Sequence, residues 1–283
     1  MAVKTTGNKN TSKIDAERLK ETGPFSKGNR QIFIYSIGAS NEGHGRALPS
    51  NIDDYMAIYT AVAVSRQQGY NYRSHIPYSS DRVGDIAKDW NPAYIPMNEL
   101  VSKTIADLKR DLHNLKRNGN SASHVIVISG HGGNNFLTER SGEISKALGV
   151  PFLYVPPFPG VKATLKGYGN VEIWHADHGE HSIGLFLGLL DKKKLEEINQ
   201  VAKTDPLEAL RRDPPIMGLG FYFRPELSGA DTYKALREME NDVPKRFIES
   251  DKRIIADYDV GRQFMEGNIE SAKKQIADFI RKN

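Results

Sequence analysis

Three short segments concentrate the side chains that can hold a cation or move a proton. The first is Glu42-Gly43-His44-Gly45-Arg46-Ala47-Leu48-Pro49-Ser50-Asn51-Ile52-Asp53, which sets two carboxylates around an imidazole in a glycine-rich loop. Glycines let the backbone bend so that alternate side chains converge, and carboxylate oxygens with a histidine nitrogen suit zinc, manganese or iron(II). The same residues also fit a polar turn in which Asp53 caps the next helix. The second segment, Gly130-His131-Gly132-Gly133-Asn134, follows a β-branched run. In open α/β sheets ligands bind at the carboxyl ends of strands, where such a histidine would be presented; a plain strand-to-helix turn is the alternative. The third, Trp174-His175-Ala176-Asp177-His178-Gly179-Glu180-His181-Ser182, holds three of the chain's eight histidines and two acids. On a helix, His175, His178 and His181 would share a face. That density of ionisable groups is costly to bury unless a metal or ion pairs satisfy it; a solvated turn ahead of the apolar run 183–190 is the other reading.

What the chain lacks narrows the chemistry. There is no cysteine among its 283 residues, which excludes disulfides, thiolate metal sites and a thiol nucleophile. No phosphate loop, dinucleotide fingerprint or Gly-x-Ser-x-Gly elbow is present. The balance of 39 basic against 35 acidic residues is too even to predict a nucleic-acid partner. The run 183–190 is too short to span a bilayer, so no membrane partner is expected. Residues 1–30 are polar and do not read as a signal peptide. The expectation is a cytoplasmic protein with a polar N-terminal extension, 1–30, and a single domain over 31–283.

The segments must be positioned by regular elements. An apolar run at 31–37 reads as a buried strand, and apolar residues at helical spacing over 53–68 as a helix. A second strand falls at 72–78. Residues 98–116 form an amphipathic helix with Leu100, Ile105, Leu108, Leu112 and Leu115 on one face. Strands at 124–129 and 150–155 flank a helix from about 136 to 148, and further helices are expected at 244–258 and 260–280. Strand–helix alternation of this kind indicates an α/β fold, a parallel or mixed sheet with helices on both faces. Of the remaining histidines, His113 is expected at the surface and His75 in an extended segment.

In order, spacing and strand context, the three motifs resemble the creatininase family of amidohydrolases. That family carries Glu-x-His-Gly-x-x-Leu-Pro-x-x-x-Asp, then Gly-His-x-x-Asn, then His-Ala-Gly-x-x-Glu-Thr-Ser; the resemblance spans roughly 31–190. It implies a three-layer α/β/α sandwich with a mostly parallel central sheet, two divalent ions (zinc, manganese or iron), and assembly as a homo-oligomer, hexamers being common. It also implies Glu42, His44, Asp53 and His131 as metal ligands, with Asp53 bridging, and His175 and Glu180 at the family's catalytic positions. Creatininase itself has a further glutamate ligand two residues after the second motif's histidine, where this chain has Gly133; Glu180 is expected to complete that site. Trp174, His178 and Asn134 are candidates to contact substrate. Departures surround the pocket rather than the ligands: Ala47 replaces a second histidine, Asp177 a glycine, His178 a glutamate and His181 a threonine.

The implied chemistry is hydrolysis of a carbon–nitrogen bond in a small molecule. A metal-activated water attacks an amide or formamide carbonyl, the oxyanion is stabilised electrostatically, and His175 protonates the leaving nitrogen. Creatinine ring-opening and deformylation of a formamidopyrimidine nucleotide, in flavin and deazaflavin biosynthesis, are both reactions of the family. An isomerase or lyase on the same scaffold, and a non-catalytic metal-binding protein, are the rival classes.

Overall fold

Strand β1 (Gln31–Ile37) is apolar at nearly every position because both of its faces are covered. Phe33, Tyr35 and Ile37 pack with Val125, Val127, Phe152 and Tyr154 against Leu100, Val101, Leu108 and Leu115 of one helix and Ile144 of another. Ile34, Ile126, Ile128 and Val155 pack on the opposite side against Ala61, Val62 and Val64, and against Ile269, Ala272 and Ile276. Each such fully buried large side chain stabilises by roughly 1.5–3 kcal/mol. The protein is seen in a computed structural model that describes residues 31–204 apart from 83, 90, 168 and 174, then 208–209, 212–213 and 254–283. The N-terminal extension 1–30 lies outside the described residues.

The order of elements is β1, α1 (Ile52–Gln68), β2 (Asn71–Ile76), α2 (Met97–Arg117), β3 (Ala122–Ser129), α3 (Ser141–Leu148) and β4 (Phe152–Val155). A short antiparallel hairpin, β5 (Ala163–Leu165) and β6 (Gly169–Val171), precedes α4 (His178–Phe186), α5 (Lys192–Thr204) and α6 (Tyr258–Lys282). The main sheet runs β2-β1-β3-β4 with every pairing parallel. Helices α2 and α3 cover one face and α1 and α6 the other. This is the three-layer α/β/α sandwich. Among the described residues, no helix is long and apolar enough to cross a membrane.

The topology fixes where a ligand can sit. From β1 the chain passes through α1 to β2 on one side; from β3 it passes through α3 to β4 on the other. The chain therefore diverges at the carboxyl ends of β1 and β3, the switch point where such sheets open a crevice. The Glu42 loop leaves β1 there and the His131 turn leaves β3.

Several boundaries differ from the sequence expectation. The single helix expected from 136 is a 3₁₀ turn (Gly132–Thr138) followed by α3, because Asn134 is held by Ser80 and Gly38 across the crevice. The apolar helix expected at 183–190 starts earlier and ends at Phe186. Asp177 caps it by accepting the Glu180 N–H. Gly188, at φ 72°, closes it while Leu189 and Leu190 N–H bond to the Gly184 carbonyl. Of the helix expected at 244–258, residues 244–253 lie outside the described residues, and 254–257 are irregular chain leading into α6.

Candidate metal centre and its cavity

Asp53 reaches the crevice because the first turn of α1 is wedged between the ends of β1 and β3. A Cβ on Gly38 would lie 2.4 Å from Asp54 Oδ1 and 2.6 Å from Asp54 N, and one on Gly130 would lie 2.1 Å from the Asp53 carbonyl oxygen. Only residues without side chains permit that approach. On the far side Asp54 accepts from His75 Nε2 at 2.9 Å, and His75 Nδ1 meets Ser36 Oγ at 2.9 Å. Serine, histidine and aspartate in a row suggest a nucleophilic triad. Here, however, the hydroxyl is fully buried and also bonded to the Tyr72 hydroxyl, so the row fastens α1 to β1 and β2.

All of the proposed ligands converge. His131 Nδ1 lies 2.8 Å from Glu42 Oε2 and 2.9 Å from Asp53 Oδ2. His44 Nε2 lies 3.3 Å from Asp53 Oδ1 and 3.7 Å from Glu180 Oε2. Three groups of ligand atoms, each within 4.8 Å of one another, result: Glu42, Asp53 and His131; His44, Asp53 and Glu180; and Glu42, His44 and His175. Asp53 is common to the first two. Glu180 thus stands beside His44 and Asp53. It is steered there by a 2.6 Å hydrogen bond from the Ala176 N–H, with Ala176 in the left-handed region at φ 50°. Backbone strain of this kind persists only where the surroundings over-determine it, commonly at functional sites.

The electrostatics are those of a cation site. Burial alone would raise the Asp53 and Glu42 pKa values, but His44 and His131 hold Asp53 well below the usual carboxylate range, and His131 and His175 hold Glu42 low. Burial would lower His44 and His131. Instead Glu180 and Asp53 push His44 up to about 10, and Glu42 and Asp53 raise His131 well above an ordinary imidazole. Glu180 is pushed up to about 8 by burial and by Asp53 and Asp177, against the opposing pull of His44. Burial and then His44 take His175 down to about 4. The carboxylates demand positive charge, and the imidazoles carry it as protons; a divalent cation supplies the same charge by displacing them. Glu42 Oε2 and His44 Nε2 are buried without a properly formed hydrogen bond, a costly state for polar atoms unless they ligate. The donor set, oxygen and imidazole nitrogen with no sulfur, therefore fits zinc, manganese or iron(II).

The centre opens on a cavity of about 340 Å³. Glu42, Asp53, His131, His175 and Glu180 line it, together with the apolar Met56, Pro157, Phe158 and Ile173. Asp81 and Asn135 complete the polar wall; neither has a spacing signature in the sequence, although Asn135 adjoins the second motif. His175 donates from Nε2 to the Gly43 carbonyl at 2.7 Å and places Nδ1 3.5 Å from Glu42 Oε1.

The three expected substrate contacts fare differently from the ligands. Asn134 does not line the cavity. Its side chain accepts the Ser80 N–H at 2.9 Å and donates to the Gly38 carbonyl at 3.2 Å, clipping two loops together. His178 is also absent from the cavity wall: its Nδ1 accepts the Ile255 N–H at 3.0 Å and ties α4 to the segment before α6. Because α4 begins at His178, His175 precedes the helix and the three histidines do not share a face. Trp174 lies outside the described residues.

No family model matches the sequence. A curated relative from Methanosphaera stadtmanae, named 2-amino-5-formylamino-6-ribosylaminopyrimidin-4(3H)-one 5'-monophosphate deformylase, is 26% identical over 258 residues, covering 91% of this chain and 93% of its own. A relative of the same name from Methanothermobacter thermautotrophicus is 28% identical over 179 residues, 61% of this chain and 66% of its own. Among solved structures, a creatinine amidohydrolase superposes with a TM-score of 0.55 at 15% identity, over 88% of this chain and 90% of that one. A creatininase described by its Mn form superposes at 0.54 with 16% identity, over 88% and 91%. A mutant creatininase of Zn-Zn type superposes at 0.53 with 17% identity, over 88% and 90%. With likeness along nine-tenths of the chain and all three motifs meeting at one switch point, the chain has the creatininase fold and is similar in sequence to the archaeal deformylases.

Proposed function

We propose that the protein is a metal-dependent amidohydrolase that cleaves the carbon–nitrogen bond of a small-molecule formamide or cyclic amide. One observation carries the reading: two groups of buried ligand atoms share Asp53 and open on a small cavity. Glu42, Asp53 and His131 would hold one divalent ion, and His44, Asp53 and Glu180 a second. Bound there, such ions lower the pKa of a water toward neutrality and polarise a carbonyl oxygen. The protein's own groups do the rest. The Gly43 carbonyl fixes the His175 ring by accepting from Nε2, so Nδ1 is the atom that can take and return a proton in the cavity. Met56, Phe158 and Ile173 exclude water from one side of the substrate. Phe158 is held at φ 47° by an Asn268 side chain that accepts its N–H and donates to Thr60 Oγ1. A formamide on a pyrimidine is favoured over creatinine, because the relative that covers most of the chain is named for that deformylation.

The test combines metal analysis with product analysis. Protein reconstituted with zinc, manganese or iron(II) is expected to retain up to two ions per chain and to release formate or a carboxylate, with one solvent oxygen incorporated from labelled water. Absence of bound metal after reconstitution rules the reading out. A product without solvent oxygen moves it to an isomerase or lyase. His175→Ala is expected to keep its metal and lose about 10²–10⁴-fold in rate, the usual range for a proton-transfer group; loss of metal with rate would instead make His175 a ligand.

A further inference from the structure

We infer that Asp81 is the specificity-determining carboxylate of the cavity, and that it binds the adjacent N–H and NH₂ donors of a 2-amino-pyrimidinone or similar cyclic amidine. Three observations converge on it. Among the described residues of the cavity wall, Asp81 is the one acid that belongs to none of the three ligand groups. It lines the cavity outside the ligand groups of the proposed ions. Its carboxylate also occupies ground that the second motif leaves open. A Cβ on Gly133 would stand 2.8 Å from Asp81 Oδ2, 2.4 Å from His131 Nε2 and 2.5 Å from the Ser80 carbonyl oxygen. A side chain at 133 and this placement of Asp81 are mutually exclusive.

The third observation is that the backbone just before Asp81 is fixed. Ser80 is fully buried; its N–H donates to Asn134 Oδ1 at 2.9 Å and its carbonyl accepts from His131 Nε2 at 3.2 Å. The preceding residue, Ser79, accepts from Asn91 Nδ2 at 2.8 Å, and the following one, Arg82, pairs with Glu139. A carboxylate presented so rigidly loses little freedom on binding. The second motif thus gains a role beyond its ligand: His131 and Asn134 together clamp the segment that reads the substrate.

The chemistry of the partner follows from the carboxylate. An ionised aspartate is acceptor-only and takes two parallel N–H donors in bidentate fashion. Among the described residues of the cavity wall there is no lysine or arginine, and a carboxylate there pairs with the donor groups of a ligand. The 2-amino-4(3H)-one edge in the name of the relatives' substrate is such a donor pair. This assignment rests on the hydrolase reading for its place in a reaction, but not for the recognition itself.

Two measurements separate the two. In the first, the reconstituted protein and its Asp81→Asn variant are given 2-amino-5-formamido-6-methylaminopyrimidin-4(3H)-one and the counterpart with methyl in place of the 2-amino group. The wild type is expected to prefer the amino compound at least about tenfold in kcat/KM, since a site built for a donor rejects the analogue lacking it. Asp81→Asn is expected to lose that preference with bound metal unchanged. Equal losses on both compounds, or loss of metal, overturn the assignment. In the second, binding of isocytosine, which carries the donor edge and no formamide, is measured by calorimetry. Isocytosine bound by the wild type and at least about tenfold more weakly by Asp81→Asn supports the assignment even if neither formamide is hydrolysed, in which case the hydrolase reading alone falls. No binding to the wild type, or equal binding to both, overturns it.

Discussion

Replacing Gly130 with alanine adds one methyl group at the narrowest point of the centre. The backbone there is not in the left-handed region, so alanine is conformationally allowed and the effect is steric. The new Cβ would stand 2.1 Å from the Asp53 carbonyl oxygen and 2.8 Å from Ala57 N. A carbon resting on a carbonyl oxygen settles at roughly 3.3 Å, so the first turn of α1 must retreat by roughly 1 Å. That helix end cannot retreat freely, since Ile52 and Met56 are fully buried and Asp54 is held by His75. Overpacking a rigid site costs about 1–3 kcal/mol, and a displacement near 1 Å at a reacting centre costs about 10²-fold in rate. Gly132→Ala is the control, two residues along the same turn, with nothing within 4 Å of the added Cβ. Thermal midpoint, bound metal and turnover are measured on the same preparations. Gly130→Ala is expected to fall in all three and Gly132→Ala in none. If the two variants behave alike, the wedge between α1 and β3 does not position Asp53, and the reasoning fails.

Asp53→Ala should deplete metal more than loss of any other single ligand, because Asp53 sits in two ligand groups; elemental analysis showing wild-type metal content would remove its shared role. Asn134→Ala leaves the buried Ser80 N–H without its acceptor, so chemical denaturation should show a loss of about 1–3 kcal/mol with the metal ligands themselves intact. Asp111 accepts from Tyr35 at 2.7 Å and from Arg73 through two bonds near 3 Å. Burial would raise its pKa, but Arg73 and Tyr35 win and hold it low. A carboxylate with a depressed folded pKa stabilises fully above its unfolded value and loses that contribution as pH falls below it. Asp111→Asn is therefore expected to cost about 2 kcal/mol at neutral pH and progressively less as pH drops below about 4. A cost independent of pH would contradict the charge-assisted pairing.

The sequence by itself determined the elements and the reactive residue types. Buried parallel strands read as continuous apolar runs because both faces are covered, which makes β1 and β3 legible. The amphipathic α2 is legible because one face meets water. The candidate ligand residues were legible because each motif packs its donors into a few residues with glycines between them. Local spacing fails where contacts are distant in the chain. The Asp53–His131 contact joins residues 78 apart, and the placement of Glu180 beside His44 depends on Asp177 starting α4 one turn later than the histidine spacing suggests. Asp81 carries no motif, and Asn134 and His178 sit within motifs yet serve to hold loops. Only the tertiary structure decided those roles. A side chain's type limits the bonds it can make, whereas its partner is set by which elements the buried sheet brings together, and that is a property of packing across the whole chain.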